Sequence, residues 1–187
     1  MIDRKKQILE LSIELVKMYG YDSFSYATLS KELGITKASI HHHFPKKDDL
    51  GLALCNYIHN QMSTAFDAIL TKDISALKKL EAYLTLYENM LEEGDKVCPV
   101  ASLQAEANII SKEMKDAIYG IDNTESQFIE NVLIQGKESA EFTILEDIKT
   151  QAILMASSLK GTLLYARIHG KEHYRIISQQ MIKQIVK

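Results

Sequence analysis

The sequence predicts an all-α protein of about nine helices. Apolar residues recur at helical spacing along most of the 187 residues, and no alternating pattern typical of a β-strand persists. Glycine and proline, which interrupt helices, number only 8 and 2, while 46% of the residues are hydrophobic. A chain of this length can bury a sizeable core, so we expect one large helical domain or two smaller ones.

Composition also excludes several classes of protein. No run of about 18 apolar residues is present, so no membrane span is expected. The first 16 residues, MIDRKKQILELSIELV, are charged throughout and lack the apolar block of a signal peptide. The two cysteines, Cys55 and Cys98, form no metal-ligand spacing. These features predict a reduced, cytoplasmic protein without a cofactor or a bound metal.

Breaks in the apolar pattern set the predicted helix boundaries. The breaks fall at Gly20, Pro45, Gly94, Cys98-Pro99 and Gly170. Helices are predicted over residues 3–19, 26–33, 37–44, 47–70, 75–93, 100–108, 111–136, 146–169 and 172–186, with a loop over 137–145. In the first helix, the predicted core stripe consists of Ile8, Leu11, Leu15 and Met18.

Residues 24–33 indicate a short helix with recognisable ends. Ser25 is a good N-cap, and Leu29 and Leu33 follow at i, i+4 spacing on one face. Gly34 can adopt the left-handed conformation that terminates a helix. A tight turn is therefore expected directly after Leu33.

A second short helix follows that turn. Ile35 is an apolar plug, Thr36 is a second N-cap, and Ile40 and Phe44 share one face of a helix over Lys37–Phe44. Two short capped helices joined by a glycine turn are typical of a helix-turn-helix, whose second helix enters the major groove of DNA. The pattern predicts a DNA-binding module.

The face of the second helix opposite Ile40, together with residues before and after that helix, carries the predicted DNA contacts. Lys37, Ser39 and Tyr26 are candidates to read base edges, although each could be an ordinary surface residue; Ala38 could touch a thymine methyl or leave room for close approach. Backbone or base contacts are predicted for the remaining candidates, which are Ser25, His41, His42, His43, Lys46 and Lys47. A metal site in the histidine run is disfavoured, because consecutive helical residues point about 100° apart.

Charge is distributed unevenly along the chain. The net charge is −3, yet residues 1–50 carry eight Lys or Arg against seven acids, and residues 31–47 carry four against one. A small basic patch on an acidic body provides a few phosphate contacts. We therefore expect DNA binding to require a specific site and two copies of the patch.

Residues 3 to about 60 resemble the DNA-binding domain of the TetR (tetracycline-repressor-like) family. The resemblance rests on Tyr19-Gly20-Tyr21, Phe24-Ser25, Leu29-Ser30, Leu33-Gly34-Ile35-Thr36, Ile40-His41-His42-His43-Phe44 and Lys47-Asp48-Asp49-Leu50. Lys47 matches a lysine that meets phosphate in the family. His41 stands where a Tyr is usual, and Ala38 where a Gly or Pro is usual. Beyond these residues the likeness is architectural.

The resemblance implies two domains with different functions. Residues 1–46, or the family module to about residue 60, would bind the DNA operator, and residues 47–187 would form a ligand-binding and dimerisation domain. A homodimer is expected through about residues 146–186, where small residues such as Gly161 alternate with large apolar ones. A purely intramolecular core helix is the alternative.

The implied effector pocket has several candidate lining residues. They are Met62, Phe66, Tyr83, Tyr87, Met90, Cys98, Glu106, Met114, Phe128 and Tyr165, with Met155 beside them. Met and aromatic residues at helical spacing are more often ordinary core. Glu106 ends a Cys-x4-Leu-x2-Glu pattern seen in a subset of the family; it could bind a cationic or hydroxylated ligand, or pair with a neighbouring helix.

The most economical hypothesis is a ligand-responsive repressor that a small apolar or amphipathic molecule releases from its operator. Activation instead of repression stays open, and so does redox or electrophile sensing through Cys98. A helical interaction module without DNA binding is a further alternative. An enzyme is not expected, because the sequence has no phosphate loop, HExxH motif, nucleophile elbow or clear Ser/His/Asp group.

Overall fold

The computed structural model describes residues 3–91, 96–145 and 147–186, and this part of the chain is helical, as predicted. Its nine helices are α1 (Arg4–Tyr19), α2 (Tyr26–Leu33), α3 (Lys37–His43), α4 (Lys47–Leu70), α5 (Ala76–Met90), α6 (Pro99–Ala105), α7 (Lys112–Glu138), α8 (Ile148–His169) and α9 (Lys171–Lys183). Extended pairing within these residues is limited to one antiparallel bridge, Phe142 to Val186. None of the described helices is both long and apolar enough for a membrane span.

The chain packs into two compact units. Unit 1 contains the residues up to Asn60 together with Pro99–Ile121, and unit 2 contains Gln61–Cys98 together with the residues from Asp122 onward. Unit 1 thus combines α1, α2, α3, the first half of α4, α6 and the start of α7. The functional boundary at 46/47 stays a prediction.

The buried face of α1 differs from the predicted stripe. Its buried residues are Ile8, Leu9, Ser12, Leu15 and Val16. Met18 is 44% exposed, so its place in the core was predicted wrongly. The cause is Ser12, whose hydroxyl donates to the Ile8 carbonyl (2.7 Å) and is therefore satisfied in the interior. When serine is counted as polar, the apolar residues of α1 predict a core stripe on a different side of the helix, and that stripe leaves out Ser12.

The caps of α2 and α3 are confirmed. The Ser25 hydroxyl accepts from the Thr28 amide (3.3 Å), and the Thr36 hydroxyl accepts from the Ser39 amide (3.1 Å). Gly34 has a φ of +62° and ends α2 in the left-handed conformation. Local side-chain chemistry therefore sets the turn between the two helices.

The apolar anchors of these two helices are also confirmed. Leu29, Ile40 and Phe44 are buried, as the spacing predicted. Helix α3 ends at His43, and Phe44 forms its C-cap. The two short helices are thus fixed to unit 1 by one face each, and the other face of α3 is left exposed.

Unit 2 combines a contact between helices distant in sequence with a close local contact at the end of α7. The Tyr174 hydroxyl of α9 donates to the Leu84 carbonyl of α5 (2.6 Å), and Phe142 packs so closely on Gly136 that a Cβ there would lie 2.0 Å from its ring. The predicted loop after α7 therefore packs against the end of that helix. The predicted helix stop at Gly94 lies outside the described residues.

Candidate functional site

The N-terminal end of α3 presents its side chains outward. Lys37 and Ala38 are exposed and Ser39 is half-buried. The Ser39 amide is bound to Thr36, and no described contact engages the Ser39 hydroxyl. The structure thus groups one cation, one hydroxyl and one methyl at the end of the helix that a helix-turn-helix directs at base edges.

The three histidines that follow point in different directions. His41 is exposed; its Nδ1 lies 3.2 Å from the Pro45 carbonyl oxygen, and its ring lies edge-on to Tyr26 at 4.7 Å. His42 is exposed and His43 is half-buried, with 5.4 Å between their ring centroids. His41 therefore borders the turn between α3 and α4, and His42 presents its ring to solvent.

Tyr26 has a structural role that its sequence position did not reveal. Its hydroxyl lies 2.7 Å from both the Phe44 and the Lys46 carbonyl oxygens, to which it donates. Burial, followed by the charges of Asp49 and Asp48, raises the pKa of Tyr26 to about 12. Because its single proton is shared between these two carbonyls, this hydroxyl holds the α3–α4 turn and has no second proton to donate to a base edge.

Lys47, the first residue of α4, is held against the turn between α1 and α2. Its Nζ donates to the Asp22 carbonyl (3.2 Å) and lies 4.7 Å from the Tyr21 ring centroid and 5.0 Å from that of Phe24. The Tyr21 hydroxyl in turn donates to the Lys47 carbonyl (2.8 Å). Burial lowers the pKa of Lys47, with Asp22, Glu106 and Asp48 acting in the opposite direction.

These groups line a cleft in unit 1. The cleft has a volume of about 410 Å³, and its walls are Asp22, Phe24, Ser25, Tyr26, His41, Pro45, Lys46 and Lys47. Two lysines stand beside the N-terminal end of α4, where the helix dipole favours an anion. The Asp49 carboxylate already accepts from the Lys46 amide there (2.8 Å), so the side chains of Lys46 and Lys47 are the groups that the cleft offers to a phosphate.

Glu106 contacts the same turn from the end of α6. Its Oε2 accepts from the Asp22 amide (3.0 Å). Its Oε1 lies where a Cβ on Gly20 would be 2.1 Å away, so the approach depends on the missing side chain of that glycine, which has a φ of +87°. Glu106 was predicted for the effector pocket; the structure instead places its carboxylate on the α1–α2 turn of unit 1.

Four predicted pocket residues come together in unit 2. The Phe66 and Phe128 rings stack with centroids 4.6 Å apart, and Tyr83 lies 5.3 Å from both Phe128 and Tyr87. All four residues are buried. They form one aromatic cluster, which packs as a core and carries two hydroxyl groups.

An acid that was not predicted, Glu125, lies at the edge of this cluster. Its Oε1 accepts from the Tyr83 hydroxyl (2.8 Å) and from the Tyr87 hydroxyl, and its Oε2 lies 2.9 Å from Lys160 Nζ, which also pairs with Asp122. Among the described residues no hydrogen bond reaches Oε2, so its contact with Lys160 is an ion pair without hydrogen-bond alignment. Burial, then Glu125, raises the pKa of both tyrosines.

A sequence signal for Glu125 existed. It occupies the apolar stripe of α7 between Ile121 and Phe128, at the spacing of a buried position. An acid at such a position indicates a buried partner. Its ion-pair partner, Lys160, lies 35 positions further along the sequence, so the identity of that partner cannot be derived from local spacing.

The other residues predicted for the pocket take no part in the ring contacts described for the aromatic cluster. Tyr165 is 60% exposed and stacks on His169 and His173, so it does not line an enclosed pocket. Met114 is buried in unit 1, against Gly51. Within unit 2, Met62 and Met90 are half-buried. Cys98 is 4% exposed, which gives an oxidant little access to its thiol.

Helix α8 exposes an apolar face. Leu154, Gly161, Tyr165 and Ile168 are spaced by seven, four and three residues, which places them on one side of the helix. A Cβ on Gly161 would meet no atom of the described residues within 4 Å. Beside this face lies a groove of about 240 Å³ lined by Gln151, Leu154, Met155, Ser158, Ile177, Gln180, Met181 and Gln184.

Comparison with known proteins identifies a family of bacterial regulators and several related chains. Residues 8–54 match the family described as bacterial regulatory proteins, tetR family. The chain is 31% identical over 148 residues to the uncharacterized HTH-type transcriptional regulator YuxN of Bacillus subtilis (strain 168), covering 76% of this chain and 50% of that protein. It is 24% identical over 103 residues to the nucleoid occlusion factor SlmA of Marinomonas sp. (strain MWYL1), covering 55% of this chain and 52% of that one. The chain thus spans about half the length of these two curated relatives.

The fold of one solved structure matches this fold over almost the whole chain. The crystal structure of a transcriptional regulator of the TetR family from Agrobacterium tumefaciens superposes with a TM-score of 0.93 at 26% identity, covering 98% of this chain and 97% of that one. The fold, the matched helix-turn-helix and the relatives point to one conclusion. The chain belongs to the TetR family of bacterial regulatory proteins.

Proposed function

We propose that the chain is a DNA-binding transcriptional regulator, in the simplest case a repressor that a small apolar or amphipathic molecule releases from its operator. One observation carries the proposal: the outward end of α3 lies beside a cleft that offers two lysine side chains to a phosphate. Base-reading groups and backbone-binding groups are what a sequence-specific DNA interface combines.

Within this interface the residues have distinct roles. Lys37 and Ser39 read base edges, with Ala38 allowing close approach. Phosphate contacts come from the cleft, through Lys46, Lys47 and the Ser25 hydroxyl, and from His41, His42 and His43 around it. Tyr26 supports the interface by holding the α3–α4 turn.

Two chains act together through residues 146–186. The exposed apolar face of α8 supports this proposal, since a monomer rarely exposes a contiguous apolar face without function. Gly161 leaves room for a second helix at close distance. A twofold dimer presents two α3 helices to two half-sites, which compensates for the small basic patch of each chain.

The effector binds in unit 2. The aromatic cluster packs as a core, but its rings suit the apolar part of an amphipathic ligand and its polar groups, Tyr83, Tyr87 and Glu125, suit the orientation of that ligand, which enters by separating these side chains. Helix α4 runs from Lys47 into unit 2, so a ligand that favours one position of its second half changes DNA affinity through the helix itself.

A gel-shift titration against DNA flanking the gene tests the proposal. We expect specific binding. Lys47→Ala should weaken binding to DNA of every sequence and lower the salt slope, the slope of log affinity against log salt concentration, by about one unit per bound subunit. Lys37→Ala and Ser39→Ala should instead change the preferred sequence. Lys115→Ala, an exposed lysine of α7 outside the cleft, is the matched charge control. Absence of any binding at low salt would reject DNA binding and leave the helical interaction module.

The curated relatives named nucleoid occlusion factors provide a second candidate. In that case DNA binding would serve nucleoid occlusion instead of transcription. Genome-wide mapping of bound sites separates the two: a regulator occupies a few sites beside promoters, whereas sites scattered through the chromosome and unrelated to promoters favour the second candidate.

A further inference from the structure

The α1–α2 turn is held from two sides at one residue, Asp22. The Glu106 carboxylate accepts from its amide (3.0 Å), and Lys47 Nζ donates to its carbonyl (3.2 Å). The first partner comes from the end of α6 and the second from the start of α4. Asp22 therefore links an acid far along the chain to the lysine that faces the cleft.

The Glu106 side of this link is itself firmly placed. Its backbone carbonyl accepts from the Ile109 and Ile110 amides (3.0 and 3.3 Å), so it lies within a closed turn. Four residues earlier, the Ser102 hydroxyl of α6 donates to the Val16 carbonyl of α1 (3.0 Å). Helix α6 is thus attached to α1 and to the turn that follows it at two separate points of unit 1.

The Lys47 side has more freedom. A lysine ammonium has three donors on a flexible stem, and holding it in one place costs side-chain entropy. The Asp22 carbonyl and the Tyr21 and Phe24 rings limit that freedom before any ligand arrives. A phosphate entering the cleft then meets an ammonium that is already in position.

We propose that Glu106 is a positioning residue for DNA binding, which fixes the α1–α2 turn so that Asp22 holds Lys47 at the cleft. The proposal rests on the proposed function, because it requires that the cleft takes a phosphate of DNA. Glu106 does not touch the DNA; it acts by the reach of its carboxylate to the Asp22 amide.

Two conservative substitutions of Glu106 distinguish the effect of its side-chain length from the effect of its charge. Glu106→Gln keeps an acceptor oxygen at the same distance and removes the charge, whereas Glu106→Asp keeps the charge and is one methylene too short. If Glu106 acts by position, the Gln variant retains the wild-type salt slope and the Asp variant behaves like Glu106→Ala. An electrostatic role predicts the reverse order.

The readout is the salt dependence of DNA affinity, measured by fluorescence anisotropy on the operator. Glu106→Ala and Glu106→Asp should each lower the slope by about one unit per bound subunit, as Lys47→Ala does, which corresponds to a roughly tenfold loss per contact at 0.1 M salt. The double variant Glu106→Ala/Lys47→Ala should lose no further slope. Glu113→Ala, an exposed acid of α7, controls for the loss of one negative charge.

The outcomes distinguish this inference from the proposed function. A wild-type protein that binds no DNA at low salt rejects the proposed function. A wild-type protein that binds, with unchanged slopes in the Ala and Asp variants, rejects the role of Glu106 alone. A variant that loses affinity at an unchanged slope is merely destabilised, which also overturns the role. Thermal unfolding of each variant defines a temperature at which all of them are folded for the comparison.

Discussion

The α2–α3 region of unit 1 and the Glu125 cluster of unit 2 are specified in different ways. In α2–α3, each cap joins residues three positions apart, as in the Ser25–Thr28 and Thr36–Ser39 bonds. In the cluster, Glu125 binds hydroxyls 42 and 38 positions away. The comparison teaches that α2 and α3 are specified by interactions between neighbouring residues, whereas the interior of unit 2 is specified by contacts between helices that are distant in sequence.

The largest expected effect breaks the distant network. Glu125→Ala leaves two buried tyrosine hydroxyls without their acceptor and Lys160 without its more deeply buried partner, so we expect a loss of about 3–5 kcal/mol in the free energy of unfolding. Urea denaturation measures it. Glu138→Ala, an exposed acid at the end of the same helix, is the control and should change little. A cost for Glu125→Ala below about 1 kcal/mol would mean that the network is not a main stabilising element of unit 2.

The next effect compares two glycines with nearly the same backbone. Gly20 has φ +87° and ψ 166°, and Gly170 has φ +84° and ψ 168°, a region that disfavours any side chain by about 1–3 kcal/mol. The Cβ of an alanine at Gly170 meets no atom within 4 Å in the part of the chain that the structure describes, but at Gly20 it displaces the Glu106 carboxyl. Gly20→Ala should therefore cost about 1 kcal/mol more than Gly170→Ala. Equal costs in urea denaturation would show that the Glu106–Asp22 bond does not stabilise unit 1.

A smaller effect tests the local caps. Thr36→Ala removes the acceptor for the Ser39 amide and should cost about 1 kcal/mol. Thr85→Ala provides the control, because this exposed threonine lies inside α5 and alanine is the better helix former. Hydrogen exchange of the α3 amides should rise in the first variant alone; unchanged exchange there would imply that packing of Ile40, and not the cap, fixes the start of α3.

The smallest effect concerns alkaline pH. The pKa of Tyr26 is about 12 in the folded state against an ordinary value of 10, so the folded state holds this proton more tightly than the unfolded state. The resulting stability is complete below pH 10 and is lost as pH rises from 10 to 12. Tyr26→Phe should lose less stability than the wild type between pH 9 and pH 11 in urea titrations. Identical losses would remove Tyr26 from the alkaline response, leaving Tyr21 of unit 1 and the buried tyrosines of unit 2, whose pKa values burial also raises.

The same comparison explains what sequence reasoning could reach. Helix ends were predictable where a cap, a glycine and an apolar stripe coincide, as at Ser25, Gly34 and Thr36. The face of α1 was predicted wrongly because Ser12 satisfies its hydroxyl within its own helix. The roles of Glu106 and Glu125 were out of reach because their partners lie 84 and 38–42 positions away. Tyr165 was assigned to a pocket from residue type and helical spacing, and these do not tell an inner face of a helix from an outer one.

The two cysteines give each unit its own chemical probe. Cys55 is buried in unit 1, where burial raises the pKa of its thiol to about 11, and Cys98 is buried in unit 2. A thiol reagent reaches such side chains chiefly when the surrounding structure opens. The labelling rates of Cys55 and Cys98, resolved by peptide mass spectrometry, therefore report how often each unit opens in the unmodified protein. Adding operator DNA or a candidate effector then shows which of the two units each of them restrains.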